Sequence, residues 1–172
     1  VELAWGRHDL PEDDYSILSA IEVRKTKEAL DRLLSACEEF VLPVSFDVVG
    51  HLYQDSCEDH HDSPHAPGWF AADPETASTA DPLFYAPDTI EAIQGSDTNH
   101  EICTHIPARI CDEIGREALR WELETERELH RSVGIEPPRS FVAPRHRMVD
   151  RSVLTEYGIE VLRRPFPANE SF

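Results

Sequence analysis

The sequence predicts an α/β fold with a mainly parallel sheet. Short apolar segments that suit buried strands alternate with longer segments whose apolar residues recur at helical spacing. Helices that connect successive strands are the unit of a parallel sheet. A length of 172 residues suits one domain. We therefore expect a single α/β domain over residues 1–172, with its sheet either open or closed into a barrel.

The first strand is predicted at Val1–Ala4, directly before Trp5 and Gly6. Ser19 and Glu22 have the spacing of a capping box, and apolar residues then recur at helical spacing up to Phe40. This predicts a helix over about 20–40. The next strand is predicted at 44–49, between Pro43 and Gly50.

Residues 51–86 are predicted to form a long loop excursion. The segment shows little periodicity and is rich in Asp, His, Pro and Ala. Its aromatic residues argue against disorder, since disordered segments contain few of them. A loop of this length is usually functional when it is ordered. A short helix is predicted at 87–95, followed by the strand that ends at His105.

The second half of the chain repeats the alternation. Asp112 is placed to cap a helix running to Val133, and a strand is predicted at 140–143. Asp150 is placed to cap a short helix through Tyr157, before a strand at 159–162. The long helix is predicted to bury Ile114, Ala118, Trp121 and Val133. Its outer face carries the pairs Glu113/Arg116, Glu117/Arg120, Glu124/Arg127 and Glu128/Arg131.

The charge balance excludes some classes of partner. The formal net charge is −18, from 34 acidic and 16 basic residues, and Lys25 and Lys27 are the only lysines. Such a surface repels nucleic-acid phosphates and anionic membranes, so neither is expected as a partner. It suits a protein kept soluble in molar salt, where charges are screened within about 3 Å. The acidic surface therefore indicates either a protein from an extreme halophile or an ordinary acidic protein.

The cysteines show neither CxxC spacing nor the density of a disulfide scaffold. Cys37 and Cys103 lie in apolar segments and are expected in the core. No apolar run has the length of a membrane span, and no signal peptide is visible. Because the chain begins at Val1 inside a predicted strand, we expect a piece of a longer protein. Without a visible signal peptide or membrane span, a cytoplasmic location is expected.

Four segments together resemble the polysaccharide deacetylase family, the NodB-like carbohydrate esterases. They are Glu2–Gly6, Pro43–Gly50, His100–Arg109 and Ser140–Arg145, in the order of the family's motifs. The resemblance implies a distorted (β/α) barrel, often of seven strands. This chain holds about the first five, so the barrel is expected to be incomplete at its C-terminal end.

The resemblance also implies a site. In the family, an Asp and two His bind a divalent metal, zinc most often, and activated water attacks the acetamide of an N-acetylated sugar. His105 matches the first metal-binding His, and Arg145 matches an arginine beside the catalytic base. Glu2 is the carboxylate remaining on the first strand, and the acid His is expected beyond Phe172. A metal-dependent hydrolase of carbon–nitrogen bonds in carbohydrate follows from this resemblance.

Arg109 stands where the family has its second His. A guanidinium offers no lone pair to a cation. The alternative function is therefore a binding or regulatory module in which Arg109 and Arg145 hold an anionic sugar. Trp5 and Trp69 are further candidates for sugar binding, although both also suit core positions. An incomplete gene product with exposed sheet edges is a third interpretation.

The excursion also carries a group of possible metal ligands: Cys57, His60, His61 and His65. Asp and Glu residues are interleaved with them. Their composition resembles a metal site, but their spacing matches no tetrahedral pattern. The simpler interpretation is a polar loop over the cleft.

Overall fold

The structure is a computed structural model that describes residues 1–6, 12–57, 62–71, 73–106, 114–143 and 149–163. For Gly6 and for residues 12–24 it describes the backbone alone. Arg109, Cys111, Asp112, Arg145, His60 and His61 lie outside these ranges.

In the described part of the chain, four parallel strands form one sheet. They are β1 (Ser45–Val49), β2 (Glu101–His105), β3 (Ser140–Val142) and β4 (Val161–Arg163). The strand order in the sheet follows the order in the chain, β1-β2-β3-β4. The predicted α/β class with a parallel sheet is confirmed.

The helices are α1 (Glu12–Glu39), α2 (Pro87–Gln94), α3 (Arg116–Ser132) and α4 (Arg151–Glu156). Asp150 caps α4 as predicted, since its carboxylate accepts the amide hydrogens of Ser152 and Val153. The prediction for α1 was too short at its N-terminal end. Among the described helices, none combines the length and the apolar character needed to cross a bilayer.

The strand predicted at Val1–Ala4 is wrong. Residues Leu3–Gly6 form a 3-10 helix instead. The chain turns there because Leu3 adopts a positive φ of 49° and the Trp5 amide donates to the Glu2 carbonyl oxygen at 3.0 Å. The segment still reaches the sheet, because the Val49 amide donates to the Val1 carbonyl oxygen at 3.2 Å.

The two faces of the sheet differ in polarity. Side chains alternate between faces along a strand, and partners in a parallel ladder share a face. One face carries the buried apolar residues Phe46, Val48, Ile102 and Phe141. These residues belong to hydrophobic clusters that also contain Leu34 of α1, Ile90 and Ile93 of α2, and Leu119 and Leu123 of α3. The other face carries Ser45, Asp47, Glu101, Cys103, His105 and Ser140.

Helix α3 buries part of the predicted face, with Ala118 in the core, and also two glutamates that were not predicted to be buried. Trp121 is only half-buried, whereas Glu122 and Glu126 are buried together with Ala118, Leu119, Leu123 and His130. Of the predicted surface pairs, Glu124 and Arg127 are 3.6 Å apart. Arg120 instead pairs with Glu156 of α4 at 2.9 Å. Arg120, whose spacing suited a pair within α3, therefore connects α3 to α4.

The 51–86 excursion is packed against the domain, as its aromatic residues predicted. Trp69, Phe84 and Tyr85 are buried. The excursion starts with a 3-10 helix, Gly50–Tyr53, and an isolated antiparallel bridge joins Ser56 to Ala77. Cys37 and Cys103 are core residues, with 2 % and 0 % exposure.

Candidate functional site

The structure brings Glu2 and His105 together at the carboxyl end of β2. The Nε2 atom of His105 lies 2.7 Å from Oε1 of Glu2. The His105 side chain is 8 % exposed and that of Glu2 is 45 % exposed, so the pair opens to solvent on the Glu2 side. Ligands of parallel α/β sheets bind outside the carboxyl ends of the strands.

The N-terminal segment is held in place by its neighbours. In addition to the hydrogen bond from the Val49 amide to Val1, the Ala4 amide donates to the Leu83 carbonyl oxygen at 3.1 Å. The indole N–H of Trp5 donates to the Phe84 carbonyl oxygen at 3.0 Å. Glu2 therefore stands on a segment tied both to the end of β1 and to the excursion.

The protonation of His105 follows from its second contact. Its Nδ1 lies 2.7 Å from the carbonyl oxygen of Val142, on β3. A carbonyl oxygen only accepts hydrogen bonds, so Nδ1 carries the hydrogen. In a neutral imidazole, Nε2 then has a lone pair that faces the Glu2 carboxylate. Two acceptors at 2.7 Å repel each other unless a proton or a metal cation lies between them.

The polar face of the sheet extends from this pair. Burial raises the pKa of Asp47, and the neighbouring His105 opposes that rise. Asp47 Oδ1 is buried without a hydrogen-bond partner among the described residues. A half-buried carboxyl group with a perturbed pKa beside a histidine is typical of functional sites.

Further along the same face, side chains form a hydrogen-bonded row. The Ser45 hydroxyl donates to Glu101 at 2.5 Å, and the Ser140 hydroxyl donates to the other oxygen of Glu101 at 2.8 Å. Cys103 Sγ is 3.0 Å from Ser140 Oγ. Burial raises the pKa of the Cys103 thiol to about 12, so this cysteine stays protonated and unreactive.

The candidate sugar-binding tryptophans are both buried. Trp5 is 3 % exposed, and its ring lies 4.2 Å from that of His51. Trp69 is 9 % exposed and stacks on His65 at 4.3 Å with an interplanar angle of 10°. In this structure neither ring presents a face to solvent. Arg109 and Arg145 lie outside the described residues.

A buried polar cluster, formed by His65, Glu122 and Glu126, was missed by the sequence prediction. His65 Nε2 is 2.6 Å from Glu122 Oε1, and both side chains are at most 5 % exposed. Burial raises the pKa of Glu126 strongly, and the negative charge of Glu122 adds to the rise. Gly50 permits the close approach of α3, since a Cβ there would lie 2.6 Å from Glu126 Oε1.

The Glu126→Gln variant is expected to be more stable than the unaltered protein at pH 8. The raised pKa means that the folded state holds this proton more tightly than the unfolded chain does. The stability that Glu126 contributes is therefore present at low pH and is lost as the pH rises above 4.5 through the raised value. A neutral amide removes this loss, and we expect a rise in Tm of at least about 2 °C at pH 8.

The measurement is thermal unfolding at pH 5 and pH 8 in molar salt. The gain from Glu126→Gln should shrink at pH 5. Glu124→Gln is the matched control on the same helix, because that side chain is 49 % exposed. A gain that is equal at both pH values would contradict a buried, protonated Glu126.

A second group that the sequence did not predict brings together three side chains of the excursion. His51, Cys57 and Asp73 each offer a donor atom, and these atoms lie within 4.8 Å of one another. Of the possible ligands named from the sequence, Cys57 belongs to this group and His65 to the buried cluster. No sequence spacing indicated the group, because its members come from separate parts of the excursion.

Comparison of the chain with protein-family models, curated proteins and solved structures gave no significant match. A function for this chain therefore has to be argued from its own residues, from their geometry and from the motifs that resemble the polysaccharide deacetylases.

Proposed function

We propose that this chain is a NodB-like polysaccharide deacetylase domain, a metal-dependent hydrolase of the acetamide bond in N-acetylated carbohydrate. The observation that carries the proposal is the contact of 2.7 Å between Glu2 and His105 at the carboxyl end of β2. The two residues are 103 positions apart in the sequence (105 − 2), and the resemblance assigns both to one site.

The donor set of this pair fits a divalent metal. Carboxylate oxygen and imidazole nitrogen are both common ligands of zinc. The Val142 carbonyl oxygen accepts from Nδ1, which is the outer contact that orients metal-binding histidines and leaves Nε2 free to coordinate. When bound, such a cation activates water and polarises the carbonyl group that is attacked.

The polar face of the sheet supports a barrel-like arrangement around the site. A parallel sheet covered by helices on both faces has apolar residues on both. Here one face carries Asp47, Glu101 and His105. In the described part of the chain, this face is therefore not covered by helices, as the inner face of a (β/α) barrel is not, and such barrels have their substrate site at the carboxyl end of the strands.

Arg109 favours a second candidate, a carbohydrate-binding module of the same fold. The family pattern places its second metal-binding His at this position, and a guanidinium cannot coordinate a cation. With a carboxylate-bearing sugar, an arginine offers a bidentate contact instead. In that case Glu2 and His105 form an ion pair, and the domain binds sugar without hydrolysis.

Release of acetate from N-acetylglucosamine oligomers, in molar salt with added zinc, tests the proposal. His105→Gln should lower the rate more than about 100-fold, since losing even an outer partner of a metal ligand costs about 10–100-fold. His100→Gln is the matched control. His100 is half-buried, its ring packs on Phe46 at 5.2 Å, and its Nδ1 accepts from the Val44 amide at 3.3 Å.

The outcomes separate the two functions. Acetate release that depends on His105 and not on His100 supports the deacetylase. Saturable binding of the oligomer without acetate release favours the binding module. Hydrolysis that survives His105→Gln would contradict the assignment of the site.

A further inference from the structure

We propose that His51, Cys57 and Asp73 form a zinc site that is separate from the Glu2–His105 pair. The three residues supply one nitrogen, one sulfur and one oxygen donor, all within 4.8 Å of one another. These are the ligand types that zinc selects. The proposal goes beyond the deacetylase function and does not depend on it.

The spacing of the donor atoms is close to that of a tetrahedral site. Zinc bond lengths of about 2.0–2.3 Å place neighbouring ligand atoms roughly 3.3–3.8 Å apart. The Nε2 atom of His51 and Oδ2 of Asp73 are already 3.2 Å apart. Movements of about 1 Å or less would bring all three donors to these separations.

One carboxylate oxygen of Asp73 is fixed by hydrogen bonds, and the other faces His51. Its Oδ1 accepts from the Tyr85 hydroxyl and from the Glu75 amide, the latter at 3.0 Å. Its Oδ2 faces His51. Ligating carboxylates are commonly oriented by such outer hydrogen bonds. The Asp73 side chain is only 1 % exposed, so this orientation is fixed inside the domain.

Cys57 is held against the Asp73 segment by the backbone. Its amide donates to the Thr76 carbonyl oxygen at 3.1 Å, next to the bridge between Ser56 and Ala77. The Ser78 amide donates to the Asp55 carbonyl oxygen at 2.7 Å. Two distant parts of the excursion are thus paired where they supply ligands.

Aromatic rings enclose the third ligand. His51 lies in the 3-10 helix that follows β1, with the Trp5 ring at 4.2 Å and the Phe70 ring at 5.5 Å. His51 and Cys57 are each 7 % exposed. Excluding water strengthens the attraction between a cation and its anionic ligands. The enclosure points to a cation that fastens the excursion to the end of β1.

A Cys-His-Asp catalytic triad is the competing interpretation. In a triad, one imidazole nitrogen faces the nucleophile and the other faces the carboxylate. Here a single nitrogen of His51 lies within 4.8 Å of both the sulfur and the carboxylate oxygen. Convergence on one point is the arrangement of metal ligands.

Titration of the reduced, metal-free 172-residue chain with Co²⁺ in molar salt tests the proposal. A thiolate bound to Co²⁺ gives an intense charge-transfer absorption, which should saturate at about one equivalent and disappear when Zn²⁺ displaces Co²⁺. Cys57→Ser should abolish the band. The matched control is Cys37→Ser, another buried cysteine with 2 % exposure, which should retain it.

Two further variants complete the test. His105→Gln should retain the band, so failure of this site is distinguished from failure of the proposed deacetylase. Asp73→Asn should weaken Co²⁺ binding at least about tenfold. If circular dichroism shows that Cys57→Ser does not fold, the Asp73→Asn variant replaces it as the test of the site. No band in the folded, unaltered chain, or a band that survives Cys57→Ser, would overturn the proposal.

Discussion

Replacing Phe141 with alanine is expected to lower the free energy of unfolding by about 3–5 kcal/mol. Phe141 is fully buried at 0 % exposure in β3. It belongs to the cluster that includes Leu119 and Leu123 of α3 and Val153 of α4. Truncation loses the transfer free energy of the ring and leaves a cavity between the sheet and these helices.

Chemical denaturation at a fixed salt concentration measures this loss, and the chain offers a matched control. Phe40→Ala makes the same chemical change at a residue that is 70 % exposed. It should change the free energy of unfolding by less than about 0.5 kcal/mol. Equal effects at the two positions would contradict the packing of β3. The result bears on function, because the next residue, Val142, orients His105.

The Arg109→His variant is expected to bind zinc at least about tenfold more tightly than the unaltered chain. The reason comes from the sequence pattern, since the proposed match to the polysaccharide deacetylase motif puts Arg109 at the position of that family's second metal-binding His. In that motif, the change replaces a positively charged side chain by one with an imidazole lone pair for the cation. Calorimetric titration in molar salt gives the two affinities.

Arg109→Gln is the control for this variant. It removes the same charge without adding a comparable ligand, so its gain should be smaller than that of Arg109→His. Equal affinities for both variants would mean that residue 109 does not coordinate the metal. Zinc binding would then require only Glu2 and His105.

The sheet was predicted from the sequence because its signals are local. Short apolar runs bounded by Pro or Gly located β1, and the Asp150 cap located α4. The position of His105 at the end of β2 followed from the same patterns. The prediction failed at the 3-10 helix Leu3–Gly6, where the turn at Leu3 is held by hydrogen bonds to Leu83 and Phe84, which are distant in the sequence.

The buried polar groups could not be predicted from local patterns. Glu122 and Glu126 resemble the exposed acidic residues of α3 in the sequence, and only contact with His65 and Gly50 distinguishes them. Cys57, His51 and Asp73 likewise meet only after the excursion folds back on itself. The proximity of Glu2 and His105 was expected from the family resemblance, since nothing in their spacing indicates it.

The most direct test of the central claim is a calorimetric titration with zinc in molar salt. The Cys57→Ser background isolates the Glu2–His105 pair from the second proposed site. We expect saturable binding of one zinc per chain, which His105→Ala abolishes. No saturable binding, or binding that is unchanged by His105→Ala, would mean that the 2.7 Å contact is an ion pair and that this chain holds no metal there.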